Sequence, residues 1–482
     1  MNKKSLVLAC GIAIALFGAG ARSENLLEVY EAAAKSDPVI LEAQARRMAA
    51  LEVKPQARGL LFPQIDVQGQ VARDNTRGSS TFPQAVDLDN DPTTPPEIVN
   101  VNNTQTRESD YWRYQAELTQ TIFDWGQWQT LQRASSEVAL AEANYRAAEQ
   151  DLLVRVAGRY FDVLAAEDTL TAAEATLQAV NRQLEQAEKR FEVGLIAITD
   201  VQEARAAHDN ATAGVILAKR TLATAQEFLR ELTGEVYQAL VKPADDMPLD
   251  QPQPTDEETW VAKANDQNLN VIAARLGVDI AKTNVKIAEA GHMPTIQAYA
   301  QYGQSDTGAT QTNKVRGGTP VTGPADSDGT EDVIGLQLVV PIFSGGVTQS
   351  KVRQQVYLHR AERERLEGAM RQAERETRDA YLGVVAERAR VKALQQAVTS
   401  NQTALEATEA GFEVGTRTTV DVLDARRRLF EAQRDYARSR YDYLINVVKL
   451  KSASGVLAPG DLGQINNFLT TPATLQMQRP AG

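Results

Sequence analysis

One segment of the chain occurs twice, and this duplication limits the possible folds more than any other feature. Residues 191–234 align without a gap with residues 412–455, at a constant offset of 221. Two upstream pairs of segments keep the same order: residues 122–126 with 342–346, and residues 62–65 with 293–296. A tandem duplication of about 220 to 230 residues predicts two copies of one supersecondary unit.

Two stretches without proline leave room for unusually long helices. None of the 18 prolines lies between Pro96 and Pro243 or between Pro341 and Pro459, and proline is the residue that breaks a helix interior. A seven-residue apolar repeat this long predicts helices packed along a left-handed coiled-coil seam. Its members are Val156, Val163, Leu170, Leu177, Leu184 and Phe191 in the first copy, and Val384, Val391, Val398, Leu405 and Phe412 in the second.

The spacing of these features indicates how each copy is built. Residues 126–191 and 346–412 each fit one helix that is roughly 100 Å long at about 1.5 Å per residue. A shorter helix, Asp200–Leu232, returns with alanines beside its seam, so the two helices approach closely. Two more short helices, Val39–Arg58 and Val271–Ala290, give each copy one long helix flanked by two short ones.

Between the short and the long helix of each copy, apolar and polar residues alternate. The alternation covers residues 65–71, 112–118, 296–302 and 334–340. Such segments are typical of membrane-spanning β-strands, although a soluble antiparallel sheet gives the same pattern. The linkers Ala72–Asp110 and Gly303–Glu331 are rich in Asn, Asp, Thr, Gly and Pro, so we expect surface loops there.

Closure of the sheet favours the membrane interpretation. Lipid does not tolerate an open sheet edge, and four strands with a lipid-facing side cannot close a barrel alone. Three chains would supply 12 strands that run directly into 12 helices. We therefore predict a mainly α, internally duplicated chain. Its trimer would form a 12-stranded membrane β-barrel continuous with a long 12-helix α-barrel.

The first 23 residues fit a secretory signal peptide, with Lys3 and Lys4 before an apolar run and a small-residue cleavage site. Cleavage after Ala21 or Ser23 removes Cys10, the only cysteine, and so excludes disulfides. The formal net charge of −12 excludes nucleic acid as a partner. The predicted organisation is signal peptide 1–23, first repeat 24–242, linker 243–258, second repeat 259–458 and C-terminal tail 459–482.

The sequence carries no phosphate-binding loop, dinucleotide fingerprint or nucleophile elbow, so we expect no enzyme, catalytic residue or cofactor. We also expect no metal site, because the acidic triplet Asp87, Asp89 and Asp91 lacks the spaced Gly and final Glu of a calcium loop. Two functions other than a channel remain open: a periplasmic adaptor with long hairpins, and a non-conducting coiled-coil spacer. Two hairpins with strands at their opposite end count against the adaptor.

Four segments resemble the TolC family of outer-membrane channels: Val193–Val201, Val414–Ala425 and the strand-to-helix corners Ile122–Gly126 and Pro341–Gly346. The resemblance covers essentially the whole mature chain. It implies a homotrimer in the outer-membrane lipid that extends into the periplasm, as a passive exit for drug efflux or type I protein secretion. It also implies a periplasmic adaptor (membrane fusion) protein and an inner-membrane RND or ABC transporter as partners.

The resemblance further implies a gate at the two hairpin turns, where such channels close like an iris. Arg417 would link to Thr199 and Asp200 of the neighbouring hairpin, whereas Phe412 replaces a tyrosine that usually completes the link. Asp421 and Asp424 would point inward, and threefold symmetry would turn each into a ring of three carboxylates that raise one another's pKa or bind cations. Adaptors would dock on the turns at Gly194, Leu195, Gly415 and Thr416.

Purely structural roles would also account for several of these residues. Gly194 and Gly415 fit helix ends that need a positive φ angle. Thr199 with Gln202 fits a capping box, and Asp421 fits the N-cap of a helix.

The double substitution Asp421→Ala with Asp424→Ala is expected to weaken block of the channel by divalent or trivalent cations. Removing the carboxylates leaves the cations without ligands at the turn, while the trimer still assembles. The measurement is single-channel conductance in a lipid bilayer with the cation titrated in. Block of unchanged strength would refute the assignment of the ring to these two residues.

Overall fold

A computed structural model describes residues 24–86, 93, 95–237, 239–244, 247–315 and 318–470. The predicted signal peptide, the triplet Asp87, Asp89 and Asp91, and the end of the tail lie outside the described residues. The helices are α1 Leu26–Ser36, α2 Pro38–Leu51, α3 Val53–Gly59, α4 Trp125–Glu192, α5 Ile198–Thr233, α6 Glu257–Gln267, α7 Leu269–Ala290, α8 Val347–Glu413, α9 Thr419–Ala453 and α10 Pro459–Asn466. The strands are β1 Gln64–Val86, β2 Glu97–Phe123, β3 Lys242–Pro243, β4 Thr295–Val315, β5 Val321–Pro324, β6 Ser327–Val339 and β7 Leu469–Thr470.

The predicted long helices are confirmed. Helices α4 and α8 contain 68 and 67 residues, and each begins just after a strand-to-helix corner. The seam positions Val156, Val163, Val384 and Val391 are buried, as the seven-residue repeat requires, whereas Phe191, at the end of the first seam beside the turn, is 42% exposed. None of the described helices combines the length and the apolar composition needed to span a bilayer.

The short helix predicted over Val39–Arg58 is wrong in one respect, because the structure divides it into α2 and α3 at Glu52. Pro55 gives the physical reason. A proline lacks the N–H that would bond to the carbonyl of Leu51, and its ring clashes with that carbonyl. The helix therefore ends at Leu51 and restarts at Val53.

Four antiparallel strand positions make up the main sheet, in the order β1, β2, β4, β6. Strand β5 continues this last position by pairing with residues 310–313 of β4. Strand β2 joins the two copies by pairing with β4. Within the part of the chain that the structure describes, β1 and β6 each pair along one side. The sheet therefore has two open edges.

The two linkers predicted as surface loops, Ala72–Asp110 and Gly303–Glu331, are mostly strand. Strands β1 and β2 stay in register from Gln64 opposite Thr119 to Val86 opposite Glu97. Cross-strand pairs of polar residues hold this extension, such as Arg73 with Asp110 at 2.6 Å. Polar residues occupy both faces here, so the alternation that marks a strand in sequence is lost.

The half of the sheet that adjoins α4 and α8 has one apolar and one polar face. Ile65, Val67 and Val71 share the apolar face, with Val71 85% exposed and Ile334 of β6 89% exposed. Three aromatic rings close this apolar band: Trp112 stacks on Tyr114 at 6.0 Å between ring centroids, and Tyr114 lies 6.3 Å from Tyr302. An exposed apolar band that ends in aromatic residues is typical of a lipid-facing surface.

The helical unit, residues 24–48, 140–276 and 364–470, has its own core. The core surrounds the middle of α4 and the second half of α9, where Tyr160, Phe161 and Leu444 are almost fully buried. Strand β3, where the first repeat meets the linker, pairs with β7 of the tail. Asp168 of α4 fixes the linker by accepting a hydrogen bond from Lys242 at 2.6 Å.

Packing is much thinner near the two hairpin turns. Ala187, Val201 and Ala204 form the buried cluster of the first turn, and Leu405, Val422 and Leu429 form that of the second. Elements with few buried apolar contacts open at lower free energy than a large core. The turns are therefore the part of the helical unit that moves most easily.

Candidate functional site

Both hairpin turns are built on a glycine with positive φ. Gly194 follows α4 with φ 72°, and Gly415 follows α8 with φ 80°. The left-handed conformation ends each long helix and favours glycine, because a side chain would be strained there. The structural role predicted for these two glycines is confirmed.

The second turn holds the backbone of Arg417 in place. The carbonyl of Gly411 accepts hydrogen bonds from the N–H and hydroxyl of Thr416, at 2.9 and 3.0 Å, and from the N–H of Arg417 at 3.2 Å. A Cβ atom on Gly411 would lie 2.8 Å from Cγ of Arg417. Glycine at position 411 therefore provides the space in which the Arg417 side chain rests.

The two return helices begin differently. Thr418 is the N-cap of α9 and forms a capping box with Asp421: the Asp421 carboxylate accepts from the Thr418 N–H at 2.8 Å, and the Thr418 hydroxyl accepts from the Asp421 N–H at 3.3 Å. Ala197 is the N-cap of α5 and provides no side-chain hydrogen bond. The second turn is thus the more firmly capped.

Two predicted caps are therefore wrong. Asp421 is the third residue of α9 rather than its N-cap, because the helix already begins at Thr419 and Asp421 completes the capping box of Thr418. Thr199 and Gln202 form no capping box, because α5 already begins at Ile198 and both residues lie inside it.

The two carboxyl groups of α9 are occupied within their own chain. Hydrogen bonds from the backbone and hydroxyl of Thr418 lower the pKa of Asp421 below its ordinary value. The pKa of Asp424 is lowered mainly by Arg427, 2.6 Å away, and then by Arg428, 2.5 Å away. Because its pKa is lowered, the capping carboxylate of Asp421 keeps its charge at neutral pH.

These directions are opposite to the raised pKa values that we expect for a ring of carboxylates. The ring would require several copies of the chain. Within the described part of one chain, no three His, Cys, Asp or Glu side chains are grouped to hold a metal ion. The cation ring at Asp421 and Asp424 stays a prediction.

The predicted link of Arg417 to Thr199 and Asp200 is not made inside the chain. Thr199 and Arg417 are exposed and Asp200 is half-buried. Among the hydrogen bonds and ion pairs of the described residues, none joins Arg417 to either residue. Such a link would have to join two copies, and it also stays a prediction.

Phe412 does join the two hairpins of one chain. The guanidinium carbon of Arg190, on α4, lies 4.9 Å from the centroid of the Phe412 ring on α8. The other side of Phe412 packs against the Leu405, Val422 and Leu429 cluster. A cation over an aromatic face is attracted by the ring quadrupole, so phenylalanine provides a contact at this position without a hydroxyl.

Sequence reasoning missed two ion pairs that occupy equivalent positions of the two copies. Arg205 pairs with Glu188 across the first hairpin at 3.0 Å, and Arg426 pairs with Glu409 across the second. Both pairs are separated by 17 residues. The offset of 221 that aligns the copies also aligns these pairs, so the repeat contained the signal needed to find them.

A groove of about 550 Å³ lies between the two hairpins, lined by α4, α5 and α9. Its wall is largely apolar, with Val180, Val420 and Leu423, and Asp424 lies on its rim. The turns themselves expose apolar side chains: Leu195 is 73% and Val414 is 74% exposed. This end of the helical unit therefore carries an apolar surface without a partner in the chain.

Comparison with known proteins identifies the family. A sequence model of the outer membrane efflux protein family matches residues 29–235 and 260–456, most of the chain. The chain belongs to the outer membrane efflux protein family. This membership places the protein in the outer membrane and makes it an efflux and secretion channel, in agreement with the TolC resemblance. It does not favour an adaptor or a spacer.

Individual members of the outer membrane efflux protein family support this assignment. The chain is 35% identical to outer membrane protein TolC of Escherichia coli over 480 residues, which cover 99% of this chain and 92% of that protein. It is 27% identical to the alkaline protease secretion protein AprF of Pseudomonas aeruginosa, over 93% of this chain and 89% of AprF. The crystal structure of VceC from Vibrio cholerae shares the fold, with a TM-score of 0.68 at 21% identity over 89% of this chain and 96% of VceC.

The substitution Thr418→Ala is expected to loosen the second turn and leave the first unchanged. Loss of a threonine N-cap costs about 1 kcal/mol, or roughly a fivefold loss of protection from hydrogen exchange in the first turn of α9. The measurement is hydrogen exchange with mass spectrometry on the detergent-solubilised protein. The first turn of α5, which Ala197 caps without a side-chain bond, is the internal control. Equal loss in both turns would contradict a local capping role.

Proposed function

We propose that three copies of this chain form one closed tube through the outer membrane and periplasm. The single observation that carries the proposal is the sheet, which combines an exposed apolar face with two open edges. In lipid, each unpaired backbone group costs several kcal/mol, so both edges need partners. Strand β6 of one copy pairs with β1 of the next, and the alternating strand directions make that pairing antiparallel.

With three copies, the number of barrel strands equals the number of helices in cross-section. Four strand positions per chain give a 12-stranded barrel of the size that outer-membrane proteins form. Helices α3 and α7 lead into β1 and β4, and helices α4 and α8 follow β2 and β6, so each of the four strand positions adjoins one helix. Twelve helices at about 10 Å spacing enclose a lumen of very roughly 25 to 30 Å.

The hairpin turns act as the gate on the periplasmic side. In the closed state Arg417 bonds to Thr199 and Asp200 of a neighbouring copy, and Asp421 and Asp424 form the acidic rings. Arg190 and Phe412 hold together the two hairpins of each copy, at 4.9 Å. The thin packing behind the turns supports this role, because opening disturbs two small clusters and leaves the main core intact.

The exposed apolar turns are the docking surface of a periplasmic adaptor protein. The surface consists of Gly194, Leu195, Gly415 and Thr416 with Val193 and Val414 around them. Exposed apolar patches of this kind mark protein–protein contact sites. An inner-membrane RND or ABC transporter then supplies the energy, and the tube conducts passively.

The names of the relatives support two kinds of exported cargo. Two are named for protease secretion, AprF of Pseudomonas aeruginosa and PrtF of Dickeya chrysanthemi, and others for efflux, such as BepC of Brucella suis. Similarity to both groups, over 93% and 96% of this chain for AprF and PrtF and 76% for BepC, supports an exit duct for drug efflux or type I protein secretion. The polar face of the sheet suits either cargo, because polar side chains that a hydrated solute can contact line it, among them Gln68, Gln115 and Gln301.

The tube is tested by placing arginine on one or the other face of the same strand. Val67→Arg puts a charge on the apolar face, where arginine at the bilayer midplane costs about 2 to 4 kcal/mol. Gln68→Arg is the matched control on the polar face. We expect Val67→Arg to reduce the membrane-inserted trimer strongly and Gln68→Arg to preserve both trimer and conductance in lipid bilayers. A water-soluble monomer, or equal effects of the two substitutions, would contradict the proposal.

The gate is tested by conductance of the closed channel. Arg417→Ser is expected to raise conductance by removing the link between copies, and Arg190→Gln to raise it by removing the contact within each copy. A cation–π contact at an exposed site is worth about 0.5 to 1 kcal/mol, or roughly a two- to fivefold shift in the opening equilibrium per copy. Arg182→Gln, on the exposed side of the same helix, is the control. Conductance equal to that of the control would refute the corresponding link.

A further inference from the structure

We propose that the outer half of the barrel lumen contains a binding zone for multivalent oxyanions, formed by Arg107 and Arg113 of β2 from each copy. The ligands are solutes that carry several phosphate or sulfate groups. The inference rests on the proposed trimeric channel, which turns the polar face of the sheet into a lumen. It extends that function by giving the exit a charge preference opposite to that of the acidic turns.

The register of the sheet places both arginines on the polar face. Arg113 lies opposite Gln70 of β1 and Ser305 of β4, and Arg107 lies opposite Thr76 and Gln311. Trp112, one residue away from Arg113, lies on the apolar face. Alternation along β2 therefore aims the two guanidinium groups away from lipid and toward the lumen.

The arginines line a concave part of this face. A depression of about 470 Å³ extends over β1, β2 and β4, with Tyr111, Ser305 and Thr307 beside the two arginines. Hydroxyl groups and guanidinium groups both donate hydrogen bonds to phosphate or sulfate oxygens. Asp74 is the one carboxylate in the lining, and it accepts a hydrogen bond from the Thr76 hydroxyl at 2.6 Å.

Charges on the polar face change sign along the strands. Near the helices, Asp66 lies directly opposite Glu117, and Glu331 lies one row further out, opposite Gly303. Beyond that row come Arg113 and Arg107. In a trimer, the described residues of this face would give nine carboxylates at the inner end, then six guanidinium groups with three Asp74 carboxylates between them, and three Glu97 carboxylates at the far outer end.

Neither arginine is neutralised by its own chain. Among the described residues, no carboxylate lies within ion-pair distance of Arg107 or Arg113. Arg73, on the opposite face of the sheet, is paired with Asp110 through two hydrogen bonds of 2.6 and 2.8 Å. Guanidinium groups have a rigid fork of donors that matches oxyanions, and rings of them favour anions in pores.

The probe for this zone is inositol hexakisphosphate, a compact polyanion, added to each side of the wild-type channel in a planar bilayer. We expect reversible block from one side only, which strengthens with a voltage that drives anions into the barrel. Block is expected to weaken as the salt concentration rises, because the attraction is screened. The variant Arg107→Gln/Arg113→Gln should need at least about ten times more probe for half-block.

Two further variants separate the charge from other effects of substitution. Arg77→Gln is the matched control, because Arg77 pairs with Thr106 on the opposite face of the same sheet. The probe should block this variant as strongly as it blocks the wild type. Arg107→Lys/Arg113→Lys keeps the positive charges and should retain most of the block. Trimers on native gels confirm assembly of each variant.

The conductance measurements distinguish failure of the oxyanion zone from failure of the proposed channel. Conductance without block from either side, or equal block in the Gln double variant and the wild type, overturns the oxyanion zone while the channel stands. Block lost equally in Arg77→Gln overturns it as well. A protein that gives no conductance at all overturns the proposed channel, and the oxyanion zone with it.

Discussion

An apolar sheet with two unpaired edges is a constraint that one chain cannot satisfy by itself. The side chains of β1 and β6 that share a face with Val71 and Ile334 need an apolar environment. The backbone groups at the outer edges of the same strands need hydrogen-bond partners, and lipid offers none. Both requirements are met together when further copies extend the sheet into a closed barrel. The number of copies in the barrel then also sets the number of helices, because α4 and α8 continue directly from strands of that sheet.

The two duplicated hairpins share equivalent ion pairs along their helices and differ in the contacts at their turns. The ion pairs of Glu188 with Arg205 and of Glu409 with Arg426 occupy equivalent positions, so both hairpins are closed in the same way. At the turns the copies differ. Gly411 occupies the position that corresponds to Arg190, and Thr418, which caps α9, occupies the position that corresponds to Ala197. Arg190 is free to reach Phe412, and Gly411 leaves space for Arg417. These two differences between the copies therefore fall at the proposed gate.

Local signals in the sequence predicted much of the fold, and the failures have physical causes. The long helices were predictable because the seven-residue repeat and the absence of proline act on the same residues. The break at Glu52 was also readable, since Pro55 removes one helical hydrogen bond and clashes with the Leu51 carbonyl. The outer parts of β1 and β2 could not be predicted as strands, because strands that are polar on both faces lack an alternating pattern and resemble loops. At the site, the glycines of the turns were predicted, whereas the partner of Phe412 was not.

Patterns in the amino-acid sequence are enough to specify the duplication, the lengths of the helices, the seam residues and the apolar half of each strand. These features are periodic or local, so neighbouring residues in the chain encode them. Long-range packing was needed to show that Arg190 meets Phe412, that Thr418 rather than Asp421 caps α9, and that Arg107 and Arg113 line one depression with residues of β1 and β4. Such pairings join residues far apart in the chain or depend on competition between caps, and no local pattern records which contact has the lower free energy.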